Sequence, residues 1–246
     1  FINTETNGVI LKCDAIGSLE ALTEMLRRQQ IPISKADIGP VTRRDVLEAM
    51  AMKENDRHLG VILSFNVKVL QDAETEAEDN HIRVFTDKII YSLIDTYTQW
   101  VDDDKADEEN AIFKELTPIS KFTFLKGFVF RNNNPAVFGI RVDVGKLRQK
   151  IPFMNKAGKK IGVIHQLQHD GKTVDSVKTG QEVACSVQNV TVGRQVVEED
   201  VFYTLPSSSD AKKLLKRFMQ TLSSEERDTL NEIVEIQRKI DPAYGY

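Results

Sequence analysis

The chain has 246 residues, 41% hydrophobic and 28% charged, with 33 Lys and Arg against 37 Asp and Glu for a formal net charge of −4. This is ordinary globular composition with room for two modest domains. No apolar run approaches a membrane span and no N-terminal signal pattern is present. Cys13 and Cys185 stand far apart without CxxC spacing, which argues against a disulfide framework or a zinc site.

The first residue is Phe rather than Met, which points to a processed chain or a piece of a longer protein. Charge is unevenly distributed. Residues 1–85 carry 10 basic and 14 acidic side chains, 86–116 carry 3 and 9, 117–205 carry 13 and 7, and 206–246 carry 7 of each. A basic module beyond an acidic stretch is a reasonable docking surface for a polyanion.

Residues 1–7 show no period and read as a linker. Residues 8–13 (GVILKC) form a short apolar run suited to a strand buried on both faces. Ser18 is expected to cap a helix whose apolar positions are Leu19, Leu22, Met25 and Leu26, stopped by Pro32. A second strand is expected over 33–38. Thr42 and Asp45 form a capping-box variant for a helix with Val46, Leu47 and Met50 on its buried face. A third strand spans 60–67, an acidic helix 71–80 and a fourth strand 82–85. Strands alternating with helices predict a four-stranded parallel sheet in an α/β/α domain over residues 1–85. The turn from Asp14 to Ser18 could hold an anion at a helix start, although a plain cap is the simpler reading. His58 and His81 read as isolated surface histidines.

Residues 86–115 read as one long connecting helix. Phe85 and Ile90 form a hydrophobic staple across a Thr86 cap, and Ile89, Ile90, Leu93, Ile94, Tyr97, Trp100 and Val101 follow the helical period. The acidic stretch from Asp102 to Glu109 then has no apolar face until Ala111, Ile112 and Phe113. A helix anchored at both ends and polar between is expected to be a solvated bridge, holding two halves roughly 40 Å apart.

Alternation takes over in residues 116–205, which are expected to form an antiparallel β-barrel. Phe122, Phe124, Phe128 and Phe130 share one strand face. Such a stripe could stack nucleic-acid bases, but in an alternating strand the barrel core is the favoured place. Phe138, Ile140, Val142 and Val144 form the next inward face, and Ile161, Val163, His165 and Leu167 another. Asp170-Gly171 is a type I′ hairpin signal. Residues 206–246 predict a helical hairpin packed on the barrel, its second helix opened by a Ser223–Glu226 capping box.

Several motifs fail. Gly171-Lys172-Thr173 ends like a phosphate loop, but position 166 is Gln where that loop needs Gly. His165 and His169 lie on a strand without a third ligand, so no metal site is expected. Neither a nucleophile elbow nor a catalytic carboxylate pair appears, so no catalysis is expected of this chain.

The stretches GSLEALTEMLRR, GPVTRRDVLEAM, VILSFNVKV and FLKGFVFRNNNPAVFGIRVDVGKLR, together with the order α/β domain, long helix, barrel and helical tail, resemble the C-terminal half of archaeal and eukaryotic translation initiation factor 5B, the relative of bacterial initiation factor 2. The resemblance covers almost the whole chain. It implies a cytoplasmic, monomeric fragment that binds initiator methionyl-tRNA and ribosomal subunits during subunit joining. The GTPase domain, with its GTP and Mg, would lie upstream; this fragment itself carries no cofactor and meets no membrane. The barrel would hold the tRNA acceptor end through the hairpin Gln168, His169 and Lys172 and the strand start Gln181, Glu182 and Ala184. Arg131, Arg141, Lys146, Arg148 and Lys172 would serve as phosphate contacts. Bacterial relatives place basic and aromatic residues in that hairpin to read the formyl-methionyl group. Gln168, His169 and Asp170 depart from this pattern. The helical tail would dock the C-terminal tail of initiation factor 1A in a groove lined by Leu215, Phe218, Met219, Leu230, Ile233 and Val234. The alternative is a small-molecule enzyme or ligand-binding protein using the parallel sheet, for which Asp14, Ser18 and Asn66 are the candidate polar groups.

Overall fold

Four apolar runs with helical crossovers between them build the first sheet. In the computed structural model, which describes residues 4–246, strands β1 (Val9–Cys13), β2 (Ile33–Ile38), β3 (Val61–Phe65) and β4 (Arg83–Asp87) pair in parallel in the order β2-β1-β3-β4. Of the stretch 1–7, residues 1–3 lie outside the described residues. Helices α1 (Ile16–Arg28), α2 (Arg43–Asn55) and α3 (Gln71–Asp79) connect the strands. Helix α4 (Ile90–Glu115) follows β4. Leu19, Leu22 and Leu26 of α1 pack with Leu93, Ile94 and Tyr97 of α4 against Val9, Leu11 and Leu63 on one face of the sheet. Val46 and Ala49 of α2 and Ala73 and Ala77 of α3 cover Ile10 and Ile62 on the other. The chain divides into two units, Phe1–Glu108 and Glu109–Tyr246.

Details of the first unit depart from the sequence reading. Strand β4 runs on to Asp87, so Thr86 lies in the sheet and α4 begins at Ile90. Asp87 takes over the capping role, accepting from the backbone N–H of Lys88 and Ile89 and from Ser92 Oγ. Helix α1 begins at Ile16, placing Ser18 inside it. On α2 the capping box of Thr42 and Asp45 is present. Leu47, however, is exposed, because Ala49 and not Leu47 completes the buried stripe with Val46. His58 is not an isolated surface residue. Its Nε2 lies 2.8 Å from Asp104 Oδ2 and its ring meets the Trp100 ring edge-on. Arg57 pairs with Asp104 and Glu108. Asp104 and Glu108 of α4 are therefore engaged by Arg57 and His58 of this unit, where the sequence suggested only solvent.

In the second unit, strands β5 (Ser120–Arg131), β6 (Ala136–Arg148), β7 (Pro152–Asn155), β8 (Lys160–His169), β9 (Lys172–Val174), β10 (Ser176–Lys178), β11 (Glu182–Val187) and β12 (Val201–Thr204) form one antiparallel sheet. Its order β6-β11-β8-β7-β12-β5 closes on itself through the β5–β6 pairing, with β9 added to β8 and β10 to β6. Phe122, Phe124, Phe138, Phe153 and Phe202 fill the barrel. Helices α5 (Ser208–Lys216) and α6 (Ser224–Arg238) follow, the latter opened by the Ser223–Glu226 capping box. They cover Ile119, Met154 and Tyr203 on the barrel, and Ile112 and Phe113 from the end of α4 join the same apolar cluster. No helix among the described residues is long and apolar enough to cross a membrane.

Candidate nucleic-acid interface

The aromatic run on β5 does not lie on one face. Phe124 stands opposite Ile140 and Val129 opposite Phe138, so the four residues from Leu125 to Phe128 face the single Gly139. An odd surplus of residues reverses the strand's alternation. Phe122 and Phe124 are fully buried, whereas Phe128 is 48% and Phe130 62% exposed. The expectation of an aromatic stripe wholly in the core thus holds for the first pair only. Gly127, with φ of +80°, makes the bend, and its N–H donates to Glu198 Oε1. Phe128 then folds over β6 where Gly139 has no side chain, and its ring stands edge-on to that of Phe130 at 6.5 Å between centroids.

A second irregularity shapes the opposite wall. Where β8 pairs with β11 the register slips between Ser186 and Val187. Ile164 and Leu167 point into the core, but Val163 and His165 are exposed, which corrects the uniform inward face expected from alternation. His165 and Gln166 both line the outer surface. Two adjoining hollows result, each of about 450 Å³, sharing Phe130, Val137, Gln168 and Ala184. One adds Arg131, Pro135, His165, Gln166 and Ser186. The other adds Leu125, Phe128, Gly139, Asp170, Gly171 and Glu182. Small residues form the floor and aromatic rings the wall. The hairpin at the rim turns through Asp170 and Gly171, both at positive φ, as the Asp-Gly signal implies.

The structure gathers some of the sequence-derived site residues here and scatters others. Gln168, Glu182 and Ala184 line the hollows, with Arg131 at one end. His169 Nδ1 lies 3.1 Å from the Glu182 carbonyl, and Lys172 pairs across the hairpin. Gln181 is tied into a turn, its Oε1 accepting from the Lys178 N–H. Arg141 is held by Asp143 at 2.9 Å. Lys146 and Arg148 lie elsewhere, around a smaller hollow with Phe113, Lys114, Leu116, Leu214 and Leu222. Arg148 donates to the carbonyls of Lys114 and Leu116, so it caps the C-terminal end of α4. Phe128, Phe130, His165 and Ser186 were missed as site residues. Glycine at 127 and 139 around the aromatic run was the available signal for the first two.

The groove expected between the tail helices is filled. Phe218, Leu230, Ile233 and Val234 are buried in the apolar cluster, and only Leu215 and Met219 remain partly covered at its edge. Phe218 is also beyond the end of α5 and packs on Phe113. At the C-terminal edge of the parallel sheet, Asp14 occupies the position considered for an anion. Hydrogen bonds from Asn66, at 2.6 Å, and from Ser18 hold its carboxyl below the usual range. A carboxylate there repels a phosphate. Among the described residues no group of three or more His, Cys, Asp or Glu could hold a metal ion.

Residues 118–203 match the family Elongation factor Tu domain 4, and residues 2–98 match Translation-initiation factor 2. The chain is 43% identical over 245 residues to the "Probable translation initiation factor IF-2" of Hyperthermus butylicus, covering 99% of this chain and 40% of that protein. It is 41% identical over the same length to the protein of that name from Ignicoccus hospitalis, again 99% of this chain and 40% of the other. The crystal structure of GDP-bound aIF5B from Aeropyrum pernix superposes with a TM-score of 0.63 at 40% identity, over 98% of this chain and 41% of that one. The chain matches archaeal IF-2/aIF5B. It corresponds to the C-terminal portion and spans about two fifths of the length of its IF-2/aIF5B relatives. The parallel sheet and the closed barrel match the C-terminal domains of aIF5B, as the resemblance implied.

Proposed function

We propose that this portion of an IF-2/aIF5B factor holds the acceptor end of initiator methionyl-tRNA on the outer face of the barrel during ribosomal subunit joining. One observation carries the reading: a bulge turns Phe128 and Phe130 outward over a floor of small residues, beside glutamine amides. Exposed rings above a smooth floor suit unpaired bases, which stack without regard to sequence. Arg131 lies at the edge for the sugar-phosphate chain. The hollow with Leu125, Phe128 and Gly139 is the more apolar and takes the aminoacyl group. Long helix α4 would couple the barrel to an upstream GTPase domain that binds GTP and Mg.

The partner surface for the initiation factor 1A tail moves accordingly. With the inter-helix groove closed, the hollow walled by Phe113, Leu116, Leu214 and Leu222 and rimmed by Lys114, Lys146 and Glu226 is the better receptor for that tail. The tRNA reading is tested by titrating labelled initiator tRNA with wild type and with Phe128→Ala/Phe130→Ala at several salt concentrations. The double variant should bind at least about tenfold more weakly with an unchanged salt slope, because it loses stacking and no charge. Equal affinity for the two proteins would overturn the proposal.

A further inference from the structure

We propose that Ser186 reads the edge of an unpaired nucleobase drawn into the hollow beside Phe130; the inference rests on the reading of this face as the site for an RNA end. Ser186 belongs to β11, between Cys185 and Val187, whose side chains are fully buried in the barrel. Strand alternation therefore sends Ser186 outward, and it lines the hollow with Phe130, Arg131, Pro135, Val137, His165 and Gln166. Yet it is only 8% exposed, covered by its neighbours. Its Oγ is buried and has no hydrogen-bond partner.

A hydroxyl stripped of water and left unpaired costs free energy, so an orphan at a concave surface asks for a ligand to complete it. The neighbours across the sheet do not. Val137 has no polar side-chain atom, and Gln166, whose Nε2 donates to Thr173 Oγ1 at 2.6 Å, makes no bond to Ser186. The Ser186 hydroxyl can donate or accept after rotation about χ1. Phe130 and His165 supply ring faces, and Arg131 supplies a cation. A flat group with ring faces and a polar edge, attached to a phosphate, fits these demands together. An unpaired nucleobase has that chemistry.

The test uses an RNA minihelix ending in single-stranded CCA, together with versions in which purine riboside replaces the adenosine or pyrimidinone riboside replaces each cytidine in turn. These analogues keep the stacking ring and lose the exocyclic amine. Wild type should bind one analogue about fivefold more weakly than the parent RNA, the worth of one hydrogen bond. Ser186→Ala should bind parent and that analogue alike, with a melting temperature equal to or above that of wild type, since the change removes an unsatisfied group. If Ser186→Ala keeps the wild-type discrimination while Phe130→Ala weakens every probe, the Ser186 assignment is wrong and the RNA face stands. A lowered melting temperature with unchanged discrimination would likewise mark the hydroxyl as structural. If Phe130→Ala alters binding of no probe, the RNA face itself is wrong and Ser186 falls with it.

Discussion

Gly139 and Phe128 are in such close register that a Cβ on the glycine would lie 2.6 Å from the Cβ of the phenylalanine. The position of the outer aromatic wall is thus set by what β6 lacks. Gly139→Ala should push Phe128 off the strand, lower tRNA affinity about tenfold and cost about 1–3 kcal/mol of stability. Parallel binding and melting curves check this; a bound tRNA affinity equal to wild type would mean that Phe128 makes no contact.

Arg148 should behave as a structural residue. It holds the last carbonyls of α4, and Lys supplies a point charge where two diverging donors are needed. Both Arg148→Ala and Arg148→Lys should lower stability, the former by about 1–3 kcal/mol, and raise hydrogen exchange at residues 113–117. Neither should change the salt slope of tRNA binding. A slope reduced by about one would restore the phosphate contact that the sequence suggested.

Asp45 gives the first unit an acid-sensitive joint. It accepts from the N–H and Oγ1 of Thr42 and from Lys35, with the buried Lys12 ammonium 3.6 Å away. Burial works against its charge, but the hydrogen bonds from Lys35 and Thr42 outweigh it, and the carboxyl sits below the ordinary range. A depressed folded-state value means that the stabilisation is complete above the unfolded value near pH 4 and is lost as pH falls through the folded value. Asp45→Asn should cost about 2–4 kcal/mol at neutral pH and flatten this part of the acid limb in melts from pH 7 to pH 2. An acid limb identical to wild type would assign it to other carboxylates.

Removal of the tail from residue 206 onward should not leave a clean barrel. The two helices cover Ile119, Met154 and Tyr203, and Tyr203 and Lys121 both bond Glu232. The truncated chain should aggregate or melt without a cooperative transition in calorimetry. A soluble, cooperatively melting product would show that the barrel stands alone. Phe218→Ala should cost about 3–5 kcal/mol by the same burial.

How much of this was legible in the residues depends on whether a pattern is local. The parallel pairing of the first sheet, the Thr42–Asp45 and Ser223–Glu226 caps and the Asp170-Gly171 turn follow from short-range spacing, and the structure has them. Partner choice does not follow. That Asp104 finds His58, or Arg148 the end of α4, depends on groups many positions away. Periodicity marks Phe218, Ile233 and Val234 as apolar, but it does not say whether their own chain or another covers them. The surface hollows were partly visible through Gln168, Glu182 and Ala184, which the family resemblance and not the residue pattern supplied. His165 escaped because a register slip between two strands leaves no mark in either strand's alternation, whereas alternation turns Ser186 outward without saying that its hydroxyl lacks a partner.

The bend at Gly127 divides one run of phenylalanines between two environments. Its odd surplus of residues works as a parity switch: straightening the strand through Gly127 without shortening it would carry regular alternation on from Phe124 and swap inside for outside along the rest of β5. Phe128 and Phe130 would be driven toward the packed interior, and Val129 and Arg131 would exchange places with them. Loss of the left-handed turn at Gly127 is therefore the most economical route by which the barrel could lose its outward rings while every phenylalanine stayed in the chain.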